Sequence, residues 1–294
     1  MHPSENQPVP LPPIGQLAPV VELVERMWRR FSRLFSGMFP WMVLSCIGSI
    51  ALGVVKAKGT LPGTLPVWVI LLIALAGGII TLISYLALIR ITSEAEKDPK
   101  DILGNGRVSL RLFFPYIWLI IIQGLILLGG FIFLIFPGFI FSIYMTILVF
   151  VFVVEDKRGL DAITRSWGYI AGRWWETLWR MFVAVFLMAI ATLLLGIILS
   201  LSFGGSANWG MTIIQNVVEA FFFGPLLLCY LFELYNDLRI TKPASDAVAE
   251  KTAKLWLVIF LIIGIMLALL IAFGAVTQTA AHGYREFPRV HSSQ

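Results

Sequence analysis

Glu219 is the residue whose chemical type and surroundings most clearly suggest a reaction or a transport step. It lies eight residues after Met211, inside an apolar stretch that runs from 211 to 235. Gln215 and Asn216 precede it by about one helical turn. An ionisable side chain in such a stretch is costly to bury, and it commonly marks a path for ions or protons.

A helix break is predicted close to this carboxylate. Gly224 and Pro225 follow it, and proline lacks the amide hydrogen that a helix needs and clashes with the preceding turn. A carboxylate beside a broken apolar helix is a candidate ion or proton site. The alternative is a lone polar side chain that hydrogen-bonds to Gln123 or reaches the outer interface. The candidate polar site comprises four residues: Glu219, Asn216, Gln215 and Gln123.

The remaining reactive residue types form no pattern that is typical of catalysis or metal binding. The three histidines, His2, His282 and His291, lie near the two ends of the chain. Cys46 and Cys229 lie inside apolar stretches, where a free thiol behaves as a small apolar side chain. No His-Glu-x-x-His, Gly-x-Ser-x-Gly or phosphate-loop motif occurs in the sequence. We therefore predict no catalytic residue, no cofactor, no metal site and no enzymatic activity.

The composition indicates which elements carry these residues. The chain has 294 residues, of which 59% are hydrophobic and 13% charged, and its mean hydropathy is +0.88. Soluble domains have about 45–50% apolar and about 25% charged residues, and a helix needs about 20 apolar residues to cross a bilayer. Seven stretches approach or exceed that length: 38–55, 67–91, 113–136, 138–154, 181–203, 211–235 and 255–276. We predict an all-α integral membrane protein with a six-helix core and a seventh, C-terminal transmembrane helix.

The positive charges alternate along these stretches. Eighteen of the 22 lysines and arginines lie before the first stretch, or at or between the facing ends of the second and third, fourth and fifth, and sixth and seventh. Cytoplasmic loops of membrane proteins are enriched in these residues, which also accounts for the net charge of +5 without nucleic acid as a partner. The pattern predicts seven crossings, with the N-terminus in the cytoplasm and the C-terminus outside.

The segments around the apolar stretches have their own patterns. Residues 1–17 are rich in proline and polar residues and are predicted to be a disordered cytoplasmic tail. Spacings of three and four predict an amphipathic helix over 18–36, lying on the membrane surface or forming a simple basic flank, and a second one over 159–174. Residues 241–254 form a predicted cytoplasmic linker between the core at 37–240 and the last helix, and an external tail follows at 277–294.

Two features bear on how the helices pack. Pro137-Gly138 separates the third and fourth stretches and predicts a tight helical hairpin, although a re-entrant pair would leave the charge pattern unchanged. The glycine pairs at 77–78 and 129–130 lie within apolar stretches, where close packing explains them better than phosphate binding.

Acidic residues near the predicted cytoplasmic ends suggest ion pairs between helices. Glu155 and Asp156 end the fourth stretch, and Glu233, Asp237 and Arg239 end the sixth. An ion pair between Glu155 and Arg239 is one hypothesis that this arrangement allows.

Several of these residues together resemble a known family. The chain is similar to bacterial membrane proteins labelled as the membrane domain of glycerophosphoryl diester phosphodiesterase, and to related six-helix families of unknown function. The resemblance implies a six-helix core with an amphipathic helix in its middle. It implies no activity here, because phosphodiesterase chemistry in such proteins belongs to a separate domain, and the seventh helix departs from the pattern. The matching residues are Pro137, Gly138, Glu155, Gly159, Ser166, Trp167, Gly172, Trp174, Pro225, Tyr235, Asp237 and Arg239.

The sequence thus favours a non-catalytic multi-pass protein of the bacterial cytoplasmic membrane that acts as a scaffold, an anchor or an accessory module. The alternative is a small transporter or channel component that uses Glu219 near the break at Gly224-Pro225. The lipid bilayer is the expected partner, whereas protein partners and self-association are left open.

Overall fold

A computed structural model describes residues 17–56, 66–93, 101–133, 135–202, 209–242 and 247–285. Most of the predicted tail at 1–17 and the end of the predicted external tail, 286–294, lie outside the described residues. The described chain is helical throughout and contains no strand. The helices are α1 (Val20–Lys56), α2 (Val67–Ser93), α3 (Ile102–Phe133), α4 (Ile135–Tyr144), α5 (Leu148–Val154), α6 (Gly159–Ile170), α7 (Trp174–Ser202), α8 (Trp209–Val218), a π-helical segment (Glu219–Phe223), α9 (Gly224–Thr241) and α10 (Ala247–Arg285).

Seven apolar helical spans confirm the predicted all-α class and suggest a multi-pass membrane protein. Within the described residues, seven helices are long and apolar enough to cross a membrane, two of them assembled from consecutive helical segments. They cover Val20–Ala51, Trp68–Ser93, Ile102–Ile132, Phe136–Val154, Trp174–Ser202, Ile213–Thr241 and Lys251–Gly274. The last helix begins inside the predicted linker and continues into the predicted external tail, since α10 ends at Arg285.

The first helix joins two elements that were predicted separately. The amphipathic segment at 18–36 and the first apolar stretch form one continuous α1, with Pro40 inside it. Met27, Phe31 and Leu34 on its early turns are buried in the protein core, whereas Trp28 is exposed. A helix that lies on a membrane and a helix that packs against other helices need the same spacing of apolar residues, so the sequence pattern does not distinguish them.

The predicted hairpin exists, but its turn lies elsewhere. Pro137 and Gly138 lie in the first turn of α4 rather than between the helices, a place where a helix tolerates proline because the first amide groups need no partner. A Cβ added to Gly138 would lie 2.8 Å from the amide nitrogen of Phe131, and one added to Gly130 would lie 3.1 Å from Cα of Gly138. These glycines let α3 and α4 approach closely, as the packing interpretation of Gly130 predicted.

The last helix is attached to α3 by a second glycine contact. A Cβ on Gly264 of α10 would lie 2.7 Å from the carbonyl carbon of Leu125, and one on Gly129 would lie 3.0 Å from the amide nitrogen of Gly264. Main chains that meet so closely are typical of helix packing through small residues. The packing interpretation of Gly129 is confirmed, and Gly264 is a partner that the sequence reasoning missed.

The predicted second amphipathic helix is shorter than expected and is enclosed by protein. It ends at Ile170, and Trp174 begins the next helix. Ala162, Ile163 and Tyr169 of α6 are almost fully buried, because α6 packs against α3, α4, α5, α9 and α10. The apolar face that was predicted to contact a membrane surface therefore contacts other helices.

Several helix ends meet at one end of the bundle, which we call the charged end. It comprises the start of α1 and of α7, the last turns of α2, α5 and α9, and α6. Arg30 of α1 donates to the carbonyl of Thr92 at the end of α2 at 3.1 Å, and Lys242 after α9 donates to the carbonyl of Ala171 after α6 at 2.8 Å. The charge pattern predicted that these helix ends lie on the same side of the membrane.

Candidate functional site

The predicted helix break is a π-helical segment that begins at Glu219. The amide of Gly224 donates to the carbonyl of Glu219, five residues back, which widens the helix by one residue compared with an α-helical turn. Pro225 then occupies the first turn of α9. Pro225 has no amide hydrogen to donate to a preceding carbonyl, and the wider turn accommodates the missing bond. The chain therefore continues as a helix through the predicted break.

The structure does not gather the four predicted polar residues into one cavity. The side chain of Glu219 is exposed, and those of Gln215, Asn216 and Gln123 are half-buried. Gln123 lies on α3, whose main partners are α2, α4, α6 and α10, whereas the π-helical segment packs mainly on α1, α8 and α9. Among the described residues, no hydrogen bond joins Glu219 to Gln123. A shared ion or proton site at these residues stays a prediction.

A cleft of about 360 Å³ lies behind the π-helical segment, between α1, α2 and α9. Its wall is mainly apolar and includes Ala220 and Pro225, with Ser45, Thr81 and Tyr85 as its polar members. The side chain of Glu219 is not part of this wall. The cleft therefore offers an apolar surface next to the helix break rather than a charged one.

Two buried acids of α9 pair with two arginines of α1 at the charged end. Asp237 accepts a hydrogen bond from Nη1 of Arg26 at 2.9 Å and one from the amide of Ala18 at 3.1 Å. One turn earlier, Glu233 accepts from Nε of Arg30, whose guanidinium also lies 4.4 Å from the ring centre of Phe232. Both acids are almost fully buried, and buried charges persist only when they are paired and hydrogen-bonded. These two contacts fix how α1 and α9 lie antiparallel.

A third acid, the partly buried Glu155, joins the end of α5 to α6 and α9. Its carboxylate accepts from Nε of Arg165 at 3.0 Å, from the hydroxyl of Tyr169 at 2.7 Å and from the hydroxyl of Tyr235 at 3.0 Å. The hypothesis of an ion pair with Arg239 is wrong, because Glu155 pairs with Arg165 instead and Arg239 is exposed.

These hydrogen bonds set the protonation state of the cluster. Burial alone would raise the pKa of Glu155, but the hydrogen bonds from Tyr169, Arg165 and Tyr235 together hold that pKa below its usual value. Burial, together with the neighbouring carboxylate, raises the pKa of Tyr169 to about 12. Glu155 is therefore ionised and Tyr169 protonated at neutral pH, as hydrogen-bond acceptor and donor respectively.

The motif residues of α6 stabilise the break between α4 and α5, which lies in the fourth apolar span. The turn between α4 and α5 leaves the carbonyl of Tyr144 without a helical partner, and Oγ of Ser166 donates to it at 2.5 Å. The indole of Trp167 stacks on the Tyr144 ring, with centres 3.8 Å apart and planes at 9°. Gly159 (φ +53°) and Gly172 (φ +84°) frame α6 in left-handed conformations that glycine adopts without strain.

Arg180 of α7 is a further clamp at the charged end, and the sequence reasoning missed it. Its guanidinium donates to the carbonyls of Leu17 and Ala18, each at 2.9 Å, and both residues are buried. The carbonyl of Arg180 accepts from the hydroxyl of Tyr230 at 2.9 Å. The only signal in the sequence was a basic residue near the start of an apolar stretch, which the charge rule explained without a partner.

No protein-family model, curated protein or solved structure matches the chain. The resemblance to the six-helix bacterial families rests on the motif residues alone.

Proposed function

We propose that the protein is a non-catalytic, multi-pass module of the bacterial cytoplasmic membrane that acts as a scaffold, an anchor or an accessory subunit. The main support is the use of three acids that are buried or partly buried: Glu155, Glu233 and Asp237 all bind arginines that hold helices or helical segments together. Charges that serve binding or proton transfer usually face a cavity. Here they are used to fix the arrangement of the bundle.

The exposed surface supports the bilayer as the partner. Long apolar side chains project from α7 and α10, among them Ile198, Leu201, Leu269 and Phe273, each at least 60% exposed. Contiguous apolar surface of this kind in water disfavours a soluble monomer, since each Å² contributes about 25 cal/mol when it leaves water. Surrounding lipid tails remove that cost.

Cysteine labelling tests the proposed topology, with the N-terminus inside and the C-terminus outside. A membrane-impermeant maleimide should label Phe136→Cys, near the α3–α4 turn, in intact cells, and Lys157→Cys only after permeabilisation. The unsubstituted protein is the control, because Cys46 and Cys229 are both buried. The opposite labelling pattern would refute the orientation.

A second candidate function is transport of an ion or proton through the region of Glu219. The π-helical segment favours it, since such segments are frequent at functional sites. Protein reconstituted into vesicles should then conduct protons under a potassium diffusion potential. We expect this proton flux to be lost in Glu219→Gln and retained in Glu219→Asp. Equal flux through the wild type and Glu219→Gln would eliminate this candidate.

We also propose kinship with the six-helix families that the motif resembles. Its support is that motif residues act together: Glu155 binds Tyr235 at 3.0 Å, and Ser166 and Trp167 both contact Tyr144. Matching residues that contact one another are less expected by chance than matching residues scattered through the structure. Solving a structure of a family member tests this, because the same contacts between the fourth span, the middle helix and the last core helix should be present.

A further inference from the structure

The cleft between α1, α2 and α9 is closed towards the charged end and open near the middle of the bundle. Leu88 of α2 and Leu228 of α9, the lining residues of these helices nearest the charged end, are 4% and 5% exposed. Further from that end, Gly224 is exposed, and a Cβ added to Gly78 would have no described atom within 4 Å. The cleft therefore opens sideways, between α2 and the start of α9, rather than at an end of the bundle.

Missing side chains account for this gap between the helices. Arg30 of α1 donates to the carbonyl of Thr92 on α2 and to Glu233 on α9, so these helices are held together at the charged end. Nearer the middle, Gly78 and Gly224 line the cleft without a side chain to fill it. Protein interiors are otherwise close-packed, so a gap of this size is available to a ligand.

The depth of the cleft indicates which molecules reach its opening. Thr81, in its wall, lies 14 residues after the start of α2 and 12 residues before its end. At ~1.5 Å per residue it is about 18–21 Å from either end of the helix. In a bilayer with a hydrocarbon core of about 30 Å, the middle of such a helix is surrounded by acyl chains. The molecules beside the opening are then hydrocarbon rather than water or lipid headgroups.

The chemistry of the wall suits a hydrocarbon chain. None of the described lining residues is charged. Oγ1 of Thr81 already donates to the carbonyl of Gly77 at 2.9 Å, and the hydroxyl of Tyr85 is hydrogen-bonded to that of Tyr116. Water in a cavity needs about two to four polar partners, so a wall of this kind favours an apolar occupant. The volume of about 360 Å³ lies in the range of about 300–1,000 Å³ that is typical of ligand pockets.

We propose that this cleft binds the hydrocarbon chain of a membrane lipid, which enters sideways between α2 and the start of α9. The assignment rests on the proposed membrane location, and it adds one defined lipid site to the general contact with the bilayer. A bound chain contacts α2 and α9 where their own side chains do not meet, and so restores the packing that an empty cleft would lack.

Photolabelling of the full chain in phosphatidylcholine vesicles tests the site. A small fraction of the phosphatidylcholine carries a diazirine near the end of one acyl chain, and mass spectrometry locates the adducts after illumination. We expect adducts on Leu88 and Leu228, because these side chains are buried and a lipid that stays on the outer surface does not reach them. Leu193 of α7, which is exposed, is the reference for general lipid contact, and the fully buried Ile89 is the background.

A variant that fills the cleft should block this labelling. In Gly78→Phe the ring takes up space that is open in the wild type, so we expect adducts on Leu88 and Leu228 to fall to the level of Ile89 while those on Leu193 are unchanged. Gly78→Ala is the matched control, since a methyl group leaves most of the cleft free. Gly196→Phe on α7 is a second control, because a Cβ there also has no described atom within 4 Å and does not line the cleft.

The result separates this site from the proposed membrane location. Adducts on Leu193 without adducts on Leu88 and Leu228 in the wild type overturn the site and leave the location standing. Unchanged adducts on both leucines in a fully helical Gly78→Phe protein also overturn it. If Leu193 is unlabelled as well, the membrane location is contradicted together with the site.

Discussion

Nη1 of Arg26 donates to Oδ1 of Asp237 at 2.9 Å, across 211 positions of sequence. This bond ties the start of α1 to the end of α9, and the second oxygen of Asp237 also holds the amide of Ala18. The carboxylate is only 2% exposed, so its charge depends on these partners. The first and sixth apolar spans are therefore held together by paired charges in addition to apolar packing.

Removal of this carboxylate should strongly destabilise the protein. Asp237→Ala leaves the amide of Ala18 without its acceptor and leaves Arg26 with Glu22 as its remaining carboxylate partner, and breaking a buried pair costs about 3–5 kcal/mol. The measurement is thermal unfolding in detergent, followed by circular dichroism. Arg29→Ala is the matched control, because its exposed pair with Glu25 is worth at most about 1 kcal/mol. Similar melting temperatures for the two variants would contradict the assigned role of Asp237.

Glu155 should make stability depend on pH. Because its pKa is below the usual value of about 4.3, the folded state binds its proton less readily than the unfolded chain. Its contribution is therefore complete at pH values above the usual range and is lost as the pH falls through the lower folded-state pKa. We expect wild type to melt above Glu155→Gln at pH 7, and we expect this advantage to shrink as the pH is lowered from 7 to below the usual range of a carboxyl pKa. A difference that stays constant across this range would rule out the ionised form as the source of stability.

Gly264 should be essential for docking α10 on α3. Leucine at this position would overlap the main chain of α3 near Leu125, and overpacking of this kind costs about 1–3 kcal/mol or displaces the helix. We expect Gly264→Leu to lower the melting temperature and to make α10 more sensitive to added protease. Gly274→Leu on the same helix is the control, since nothing lies within 4 Å of a Cβ added there. Equal protease sensitivity of the two variants would show that the contact does not hold α10.

Ser166 should stabilise the break between α4 and α5. Ser166→Ala removes the donor to the carbonyl of Tyr144 in a buried site, at a cost of about 1–3 kcal/mol because the carbonyl is left unsatisfied. Ser142→Ala provides the comparison, since the hydroxyl of Ser142 donates within its own helix, to the carbonyl of Phe139. Chemical unfolding of the two variants measures the difference, and a loss as large in Ser142→Ala would remove the special role of Ser166.

The motif residues show how much of the candidate sites could be predicted from the sequence. It singled out Glu155, Ser166, Trp167 and Asp237 as a set, and the structure gives each a contact that joins helices or spans. It did not identify Arg180 or Gly264, because one basic residue or one glycine in an apolar chain has several explanations. It also offered Arg239 as one possible partner of Glu155, where the structure has Arg165.

The sequence alone determined the all-α class and the seven apolar helices, because length and apolarity are local properties of a segment. Only the tertiary structure decided which charged residues bind one another. Glu155 binds Arg165 ten residues later and Tyr235 eighty residues later, and both partners depend on how α6 is inserted among its neighbours. The apolar face of α6 has the same spacing whether it contacts lipid or protein, so its burial follows from the assembled bundle and from no local pattern.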